Sequence, residues 1–175
     1  MVDSDKSKIN SYLSFRLGDE YFAANVSKVL NILEMVKITK VPRAPEFMKG
    51  VINLRGAVLP VIDTRIKFGM SPTEYTKDTC ILVLNVIIEG EDVNVGALVD
   101  AVQEVMEIED TKIQEPPSIG IKFKSKFIDG MIKMQDYFIM LINLDKVFSA
   151  DEAILLSEAI DREASEDEII KLIEH

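Results

Sequence analysis

Gly50-Val51-Ile52-Asn53-Leu54-Arg55-Gly56-Ala57-Val58-Leu59-Pro60-Val61-Ile62-Asp63 returns eighty residues later as Gly130-Met131-Ile132-Lys133-Met134-Gln135-Asp136-Tyr137-Phe138-Ile139-Met140-Leu141-Ile142-Asn143. Few residues are identical. The opening glycine, the apolar positions, the turn and the closing Asp or Asn nevertheless keep register without a gap, and the alignment continues to Phe68 and Phe148. Each copy reads as a β-hairpin, with the first turning at Arg55-Gly56. One such hairpin set is too small to bury its apolar face well. Its repetition therefore predicts a mostly β protein of two related small barrels packed side by side. Upstream, Val26-Ser27-Lys28-Val29 has an echo in Val99-Asp100-Ala101-Val102, again after a hairpin-like pair.

Working outward, Leu13, Phe15 and Leu17 alternate with Ser14 and Arg16, the period-two pattern of a half-buried strand. Gly18-Asp19-Glu20 reads as its turn and Tyr21 to Asn25 as its partner. Ile81 to Ile88 and Val93 to Leu98 form the matching pair around Glu89-Gly90-Glu91-Asp92. Val26 to Met35 is apolar at spacings that suit a helical turn or a twisted strand equally. Pro42 and Pro45 make residues 37–49 a connection carrying at most one helical turn around Glu46 to Lys49. These readings place one β-rich region at 1–150, with subdomains at roughly 10–78 and 79–150, followed by a tail at 151–175.

In the tail the period changes. Ser149 with Glu152 makes a capping box, and Ile154, Leu155, Ala159 and Ile160 then mark one helical face. Ser165 with Glu168 makes a second box ahead of Ile169, Ile170, Leu172 and Ile173. One kinked helix or two short ones satisfy this pattern. Its apolar stripe is expected to dock on the body, the alternative being a groove on a partner.

Composition narrows the function classes. The 175 residues carry a net charge of −10. Nine of the carboxylates lie in residues 151–175 against Arg162 and Lys171, leaving −7 on the tail and −3 on the rest. Such a chain lacks the electrostatic drive for nucleic-acid binding, and even Lys122, Lys124 and Lys126 with Phe123 and Phe127 read as a solvated loop. No apolar run approaches the ~20 residues of a membrane span. Met1 to Asn10 has no apolar signal region. A cytoplasmic protein is expected, and its one cysteine, Cys80, agrees with a reducing compartment.

The inventory also argues against an enzyme. The only histidine is His175, at the terminus, which leaves no triad and no ordinary general base. Cys80 opens an apolar strand with no cationic neighbour to activate it. One Cys and one terminal His cannot hold zinc. None of the eight glycines builds a phosphate-cradling motif, so neither cofactor nor metal is expected. Asp63 and Asp100 each end an apolar run and are the carboxylates to watch, with capping or turn roles preferred.

The stretch Gly50 to Gly56, with Leu59-Pro60-Val61-Ile62-Asp63 and Arg65, resembles the signature of the CheW family of bacterial chemotaxis adaptors. Tyr12 to Phe15 with Tyr21-Phe22, then Pro42 and Pro45, Val95 to Val102, and Gly130 to Leu144 are similar to successive family features, so the resemblance spans residues 10 to 150. It implies two five-stranded SH3-like barrels and a non-enzymatic scaffold in a two-component signalling system. Such a scaffold couples the regulatory domain of the histidine kinase CheA to the cytoplasmic tip of methyl-accepting chemoreceptors, within membrane-associated arrays and without inserting into the membrane itself.

The resemblance further implies a receptor-binding groove at Val29, Asn31, Arg55, Val102 and Val105, and kinase or ring contacts in the loop from Gln114 to Ile119. Asn31 stands where an acidic residue is expected, and Gln114 where a basic one occurs. Two other readings compete. One is a carboxylate hydrolase in which Asp63 and Asp100 converge in a single pocket. The other is the same scaffold serving another two-component or pilus-type pathway.

Overall fold

A computed structural model describes residues 8–115, 127–149 and 151–161. Ten strands dominate it. They are β1 (Ile9–Leu17), β2 (Glu20–Asn25), β3 (Val29–Glu34), β4 (Met48–Leu54), β5 (Ala57–Asp63), β6 (Cys80–Ile88), β7 (Glu91–Val99), β8 (Ala101–Glu109), β9 (Ile128–Lys133) and β10 (Phe138–Ile142). A short helix α1 (Thr64–Lys67) follows β5, and a second helix, α2, covers residues 151–161. No helix among the described residues is long and apolar enough to cross a membrane.

The strands form two five-stranded sheets, the first in the order β8-β1-β2-β10-β9 and the second in the order β3-β6-β7-β5-β4. The two orders correspond position by position, as the repeat predicts. In each, a hairpin sits centrally (β1–β2 or β6–β7), and the returning hairpin joins it through a parallel pair, β10 on β2 or β5 on β7.

The division of the chain differs from the expected one. β6 and β7, beyond residue 78, belong to the sheet of β3, β4 and β5, while β1 and β2 join β8, β9 and β10. A cut at 78/79 would separate β3 from its antiparallel partner β6 and β5 from β7. Each sequence repeat thus gives its opening hairpin to the other repeat's sheet. Two short crossings carry the exchange. After β2 the chain makes a 3-10 turn at Val26–Lys28 and continues straight into β3. After β7, Asp100 bends it into β8.

Three apolar clusters follow from this arrangement. A shared core lies between the sheets, with Leu13, Phe15 and Phe22 from the first and Ile62, Leu82 and Leu84 from the second. The second sheet curls around Ile52, Leu59, Val61, Ile81, Val83 and Leu98. The first curls around Ala23, Ile108, Ile132, Ile139 and Leu141. Central strands are therefore buried on both faces, which is why Ile81-Leu82-Val83-Leu84 runs apolar without alternation.

The repeat's opening glycines have a shared physical cause. Val51 exchanges both backbone hydrogen bonds with Thr39 at 2.9 and 2.8 Å, and Met131 does the same with Gln114 at the same two distances. These crossing segments press on the glycine before each bridge: a Cβ on Gly50, whose φ is 153°, would lie 2.1 Å from the Thr39 oxygen, and one on Gly130 would lie 2.9 Å from that of Gln114. At the other end of each repeat, Asp63 caps α1 by accepting from the Arg65 and Ile66 amides, and Asn143 caps the 3-10 turn Leu144–Lys146 through the Asp145 amide.

Some local expectations change. Val26 to Met35 resolves into a 3-10 turn followed by strand β3. The connection at 37–49 stays within the single helical turn allowed to it: one turn closes where the Met48 amide donates to the Pro45 carbonyl at 2.9 Å, and β4 begins at Met48. The capping box at Ser149 forms, with the Glu152 amide donating to Ser149 Oγ at 3.2 Å and the Ser149 amide to Glu152 Oε1 at 2.9 Å. α2 does dock on the body, through Ala159 as expected and through Leu156, which are 0% and 1% exposed. Ile154 and Leu155, expected on the docking face, are 57% and 43% exposed. The second capping box at Ser165 lies outside the described residues.

Candidate interaction site at the two edge strands

β3 closes one edge of the second sheet and β8 one edge of the first. Both follow the points where the chain passes between sheets, so these strands are equivalents in the repeat. Val29 and Val102 each follow such a passage, and each is half-buried against the shared core. A register shift between Val29 and Asn31 then turns β3 over, so that Leu33 packs into its own sheet's cluster. β8 is handled similarly across from β1. The irregularity at Ser14 is held by its hydroxyl, which donates to the Glu104 carbonyl at 3.1 Å and accepts from the Glu104 amide at 3.2 Å.

What remains outside is apolar. Leu30, Ile32 and Val36 on and just beyond β3 are 54%, 47% and 48% exposed, and Val105 on β8 is 61% exposed. An open strand edge with apolar side chains on its outer face invites a partner, because unpaired backbone groups and apolar surface are both left to water. β3 is apolar on both faces although it is an edge strand. That was the sequence signal by which Leu30 and Ile32 could have been found.

At one end of these strands opens a cavity of about 740 Å³. Glu34 and Met35 reach it from the end of β3, Cys80 from β6, Val102 and Gln103 from β8, and Arg16 from β1. Val102 is thus set beside the last residues of β3. The other expected residues are distributed differently. Val29 lies at the far end of β3, paired with Leu84. Asn31 turns its Oδ1 to the Ile32 amide at 2.8 Å. Arg55 occupies the two-residue β4–β5 turn with φ of 53°, followed by Gly56 at 86°. Left-handed geometry at both positions suits the twist of a tight hairpin. Among the described residues the Arg55 side chain has no ion pair. Gln114 is exposed and bridged to Met131 through its backbone, and Ile119 lies outside the described residues.

The carboxylates singled out for acid–base chemistry do not converge. Asp63 is 0% exposed and accepts from Arg65, Ile66 and both donors of Thr73. Asp100 Oδ2 accepts from the Gly18 amide and from the Arg65 guanidinium. Neither lines the cavity. These are structural bonds, and the observation a carboxylate hydrolase requires is missing. Burial pushes the Cys80 thiol up, more than the Val102 backbone pulls it down, and Asp78 adds to the rise. Such a thiol is a poor nucleophile.

Comparison with known proteins agrees with this architecture. The family model described as CheW-like domain matches residues 11–152. The chemotaxis protein CheW of Rhizobium meliloti is 38% identical over 140 residues, covering 80% of this chain and 88% of that protein. The crystal structure of the scaffolding protein TtCheW from Thermoanaerobacter tengcongensis superposes with a TM-score of 0.72 at 33% identity, covering 83% of this chain and 96% of that one. PilI of Pseudomonas aeruginosa matches in part, 33% identical over 92 residues, which is 53% of this chain and 49% of PilI.

Proposed function

The chain belongs to the CheW-like domain family, and from that premise we propose that it is a chemotaxis scaffold joining chemoreceptor tips to the regulatory domain of the histidine kinase CheA. It works by binding alone, without turnover of substrate, in the cytoplasm and recruited to receptor arrays. The observation that carries this reading is the pair of equivalent edge strands, β3 and β8, which leave the apolar side chains Leu30, Ile32 and Val105 exposed and whose neighbouring ends line an open cavity. A receptor tip is a helical hairpin, and an apolar helix face seats on such a surface as in other helix-in-groove modules.

Val29, Asn31, Val102 and Val105 belong to the two strands of this receptor surface. Arg55, at the exposed tip of β4–β5, offers its planar fork to a carboxylate or carbonyl at the periphery. Gln114, exposed beside its backbone bridge to Met131, is assigned to the kinase and ring contacts, together with Ile119, which lies outside the described residues. With its two sheets sharing one core, the protein is a preorganised block that costs little ordering entropy on binding.

Titration of the full chain against the CheA regulatory domain and, separately, a soluble receptor-tip fragment tests the reading. Both are expected to bind. Ile32→Asp and Val105→Asp should weaken receptor binding and spare the kinase. Failure of both ligands to bind would refute the scaffold assignment. Binding only to a kinase of a pilus-type pathway would favour the second reading, which rests on the partial likeness to PilI.

A further inference from the structure

Arg16 brings to the cavity a side-chain Nε that has no partner among the described residues. It lies on β1 opposite Ala101 of β8, and its carbonyl accepts from the Asp100 amide at 3.0 Å. Asp100 is in turn gripped by Arg65, so the base of the Arg16 side chain is fixed. Arg16 lines the cavity, and its Nε is buried with no hydrogen-bond acceptor among the described residues. None of the described residues forms an ion pair with it. Glu34 and Asp78 also line the cavity, but both are exposed and neither neutralises it. A buried donor left unpaired is costly, and each such group calls for an explanation. Beside it, Met35 and Val102 supply apolar wall.

We propose that Arg16 is the polar anchor of the receptor surface, taking a carboxylate from an acidic side chain on the bound helix while Met35 and Val102 take that helix's apolar neighbours. This rests on the scaffold reading given above. The requirement on the partner is an Asp or Glu with apolar residues three or four positions away, which a helix displays on one face. A guanidinium suits the task better than an ammonium, because its fork meets both carboxylate oxygens and it holds its charge when buried. The apolar wall sets how the helix lies, and Arg16 selects helices whose carboxylate falls at the right turn.

The test is calorimetric titration of the full-length chain with a soluble chemoreceptor-tip fragment. Wild type, Arg16→Ala, Arg16→Gln and Arg16→Lys are compared, and each acidic residue of the fragment is changed in turn to its amide. Arg16→Ala and Arg16→Gln are expected to weaken binding roughly tenfold or more, the range of a hydrogen bond to a charged group, with Arg16→Lys between. One amide change in the fragment should weaken wild type equally and leave Arg16→Ala unaffected. Unfolding midpoints of the variants should not fall, since among the described residues the Arg16 Nε has no acceptor. A purely structural arginine would behave in the opposite way. If wild type binds and Arg16→Gln binds as tightly, or if no acidic position couples to Arg16, the anchor is refuted while the scaffold reading stands. If wild type fails to bind the fragment, both fall together.

Discussion

Arg65 donates from Nε and Nη2 to the same oxygen of Asp100, at 2.9 and 2.6 Å, and thereby ties the helix after β5 to the point where the chain leaves one sheet for the other. Asp145 occupies the position eighty residues after Arg65 and does the equivalent work with the charges reversed. Lys28, at the other passage between sheets, lies 3.0 Å from Asp145 Oδ2, while the Ile87 amide donates to Asp145 Oδ1 at 2.8 Å. Two pseudo-equivalent ion pairs therefore hold the two crossings. They differ in burial: the side chains are 20% and 7% exposed for Arg65 and Asp100, against 25% and 33% for Lys28 and Asp145.

That difference sets unequal stakes. Asp100→Asn leaves the Arg65 charge without its counter-ion in a buried setting, and removal of one partner of a buried pair costs about 3–5 kcal/mol. Lys28→Met removes a partly solvated pair and should cost about 1 kcal/mol or less. Urea unfolding at pH 7 measures both. Equal losses would mean that burial does not govern the two ties.

Much of this was readable in the sequence because the repeat preserves what physics requires. Gly50 and Gly130 sit under crossing segments, and Asp63 and Asn143 cap the following turn. What stayed hidden is non-local. Nothing in the order of residues tells whether β6–β7 pairs with β3 or with β8, since both edges carry apolar residues at the same spacing. The exchange of hairpins is decided by packing across the shared core. The candidate site was legible only in part for the same reason: Val102 and Val105 were named through the family resemblance, with no strand assigned at Ala101–Glu109, and Arg16 reaches the cavity only because β1 pairs with β8.

The glycine bridge gives a sharp contrast between two positions with φ in the left-handed range. At Gly50 an added Cβ meets the Thr39 oxygen at 2.1 Å, a backbone atom that cannot step aside. Conformational strain and overpacking then add, for a loss of about 3 kcal/mol or more in Gly50→Ala. At Gly56, where φ is 86°, nothing lies within 4 Å, so Gly56→Ala carries only the backbone term of about 1–2 kcal/mol. Denaturant midpoints of the two variants, with wild type alongside, decide it; similar losses would show that the Thr39 crossing yields.

α2 offers a test of which face docks. Leu156 is 1% exposed within the shared core, so Leu156→Ala should cost about 2–5 kcal/mol if the helix is part of the cooperative fold. Ile154→Ala and Leu155→Ala, at exposed positions, should stay within about 0.5 kcal/mol of wild type. Hydrogen exchange of the α2 amides, read with the unfolding midpoints, locates the effect. A pattern with Ile154 dominant would return the docking face to the one expected from sequence periodicity.

Glu152 links this docking to pH. Burial pushes its carboxyl up, but the Ser149 backbone amide and Lys67, whose Nζ stands 3.1 Å from Oε2, together outweigh that and hold it below its ordinary value of 4.5. A carboxyl lowered by folding contributes stability that is fully present above its unfolded value and is lost as pH falls through the folded one. Lys67 also lies over the Phe47 and Phe148 rings at 5.5 and 5.7 Å, so its position does not depend on Glu152 alone. Glu152→Gln keeps the reciprocal bonds with Ser149 and removes only the charge. At neutral pH wild type should therefore be the more stable of the two, with α2 amides better protected from exchange. From about 4.5 downward that advantage should shrink and disappear once Glu152 is protonated in the folded chain. A difference between the two proteins that stays constant from pH 7 to pH 3 would mean that the Lys67 contact contributes through packing and not through charge.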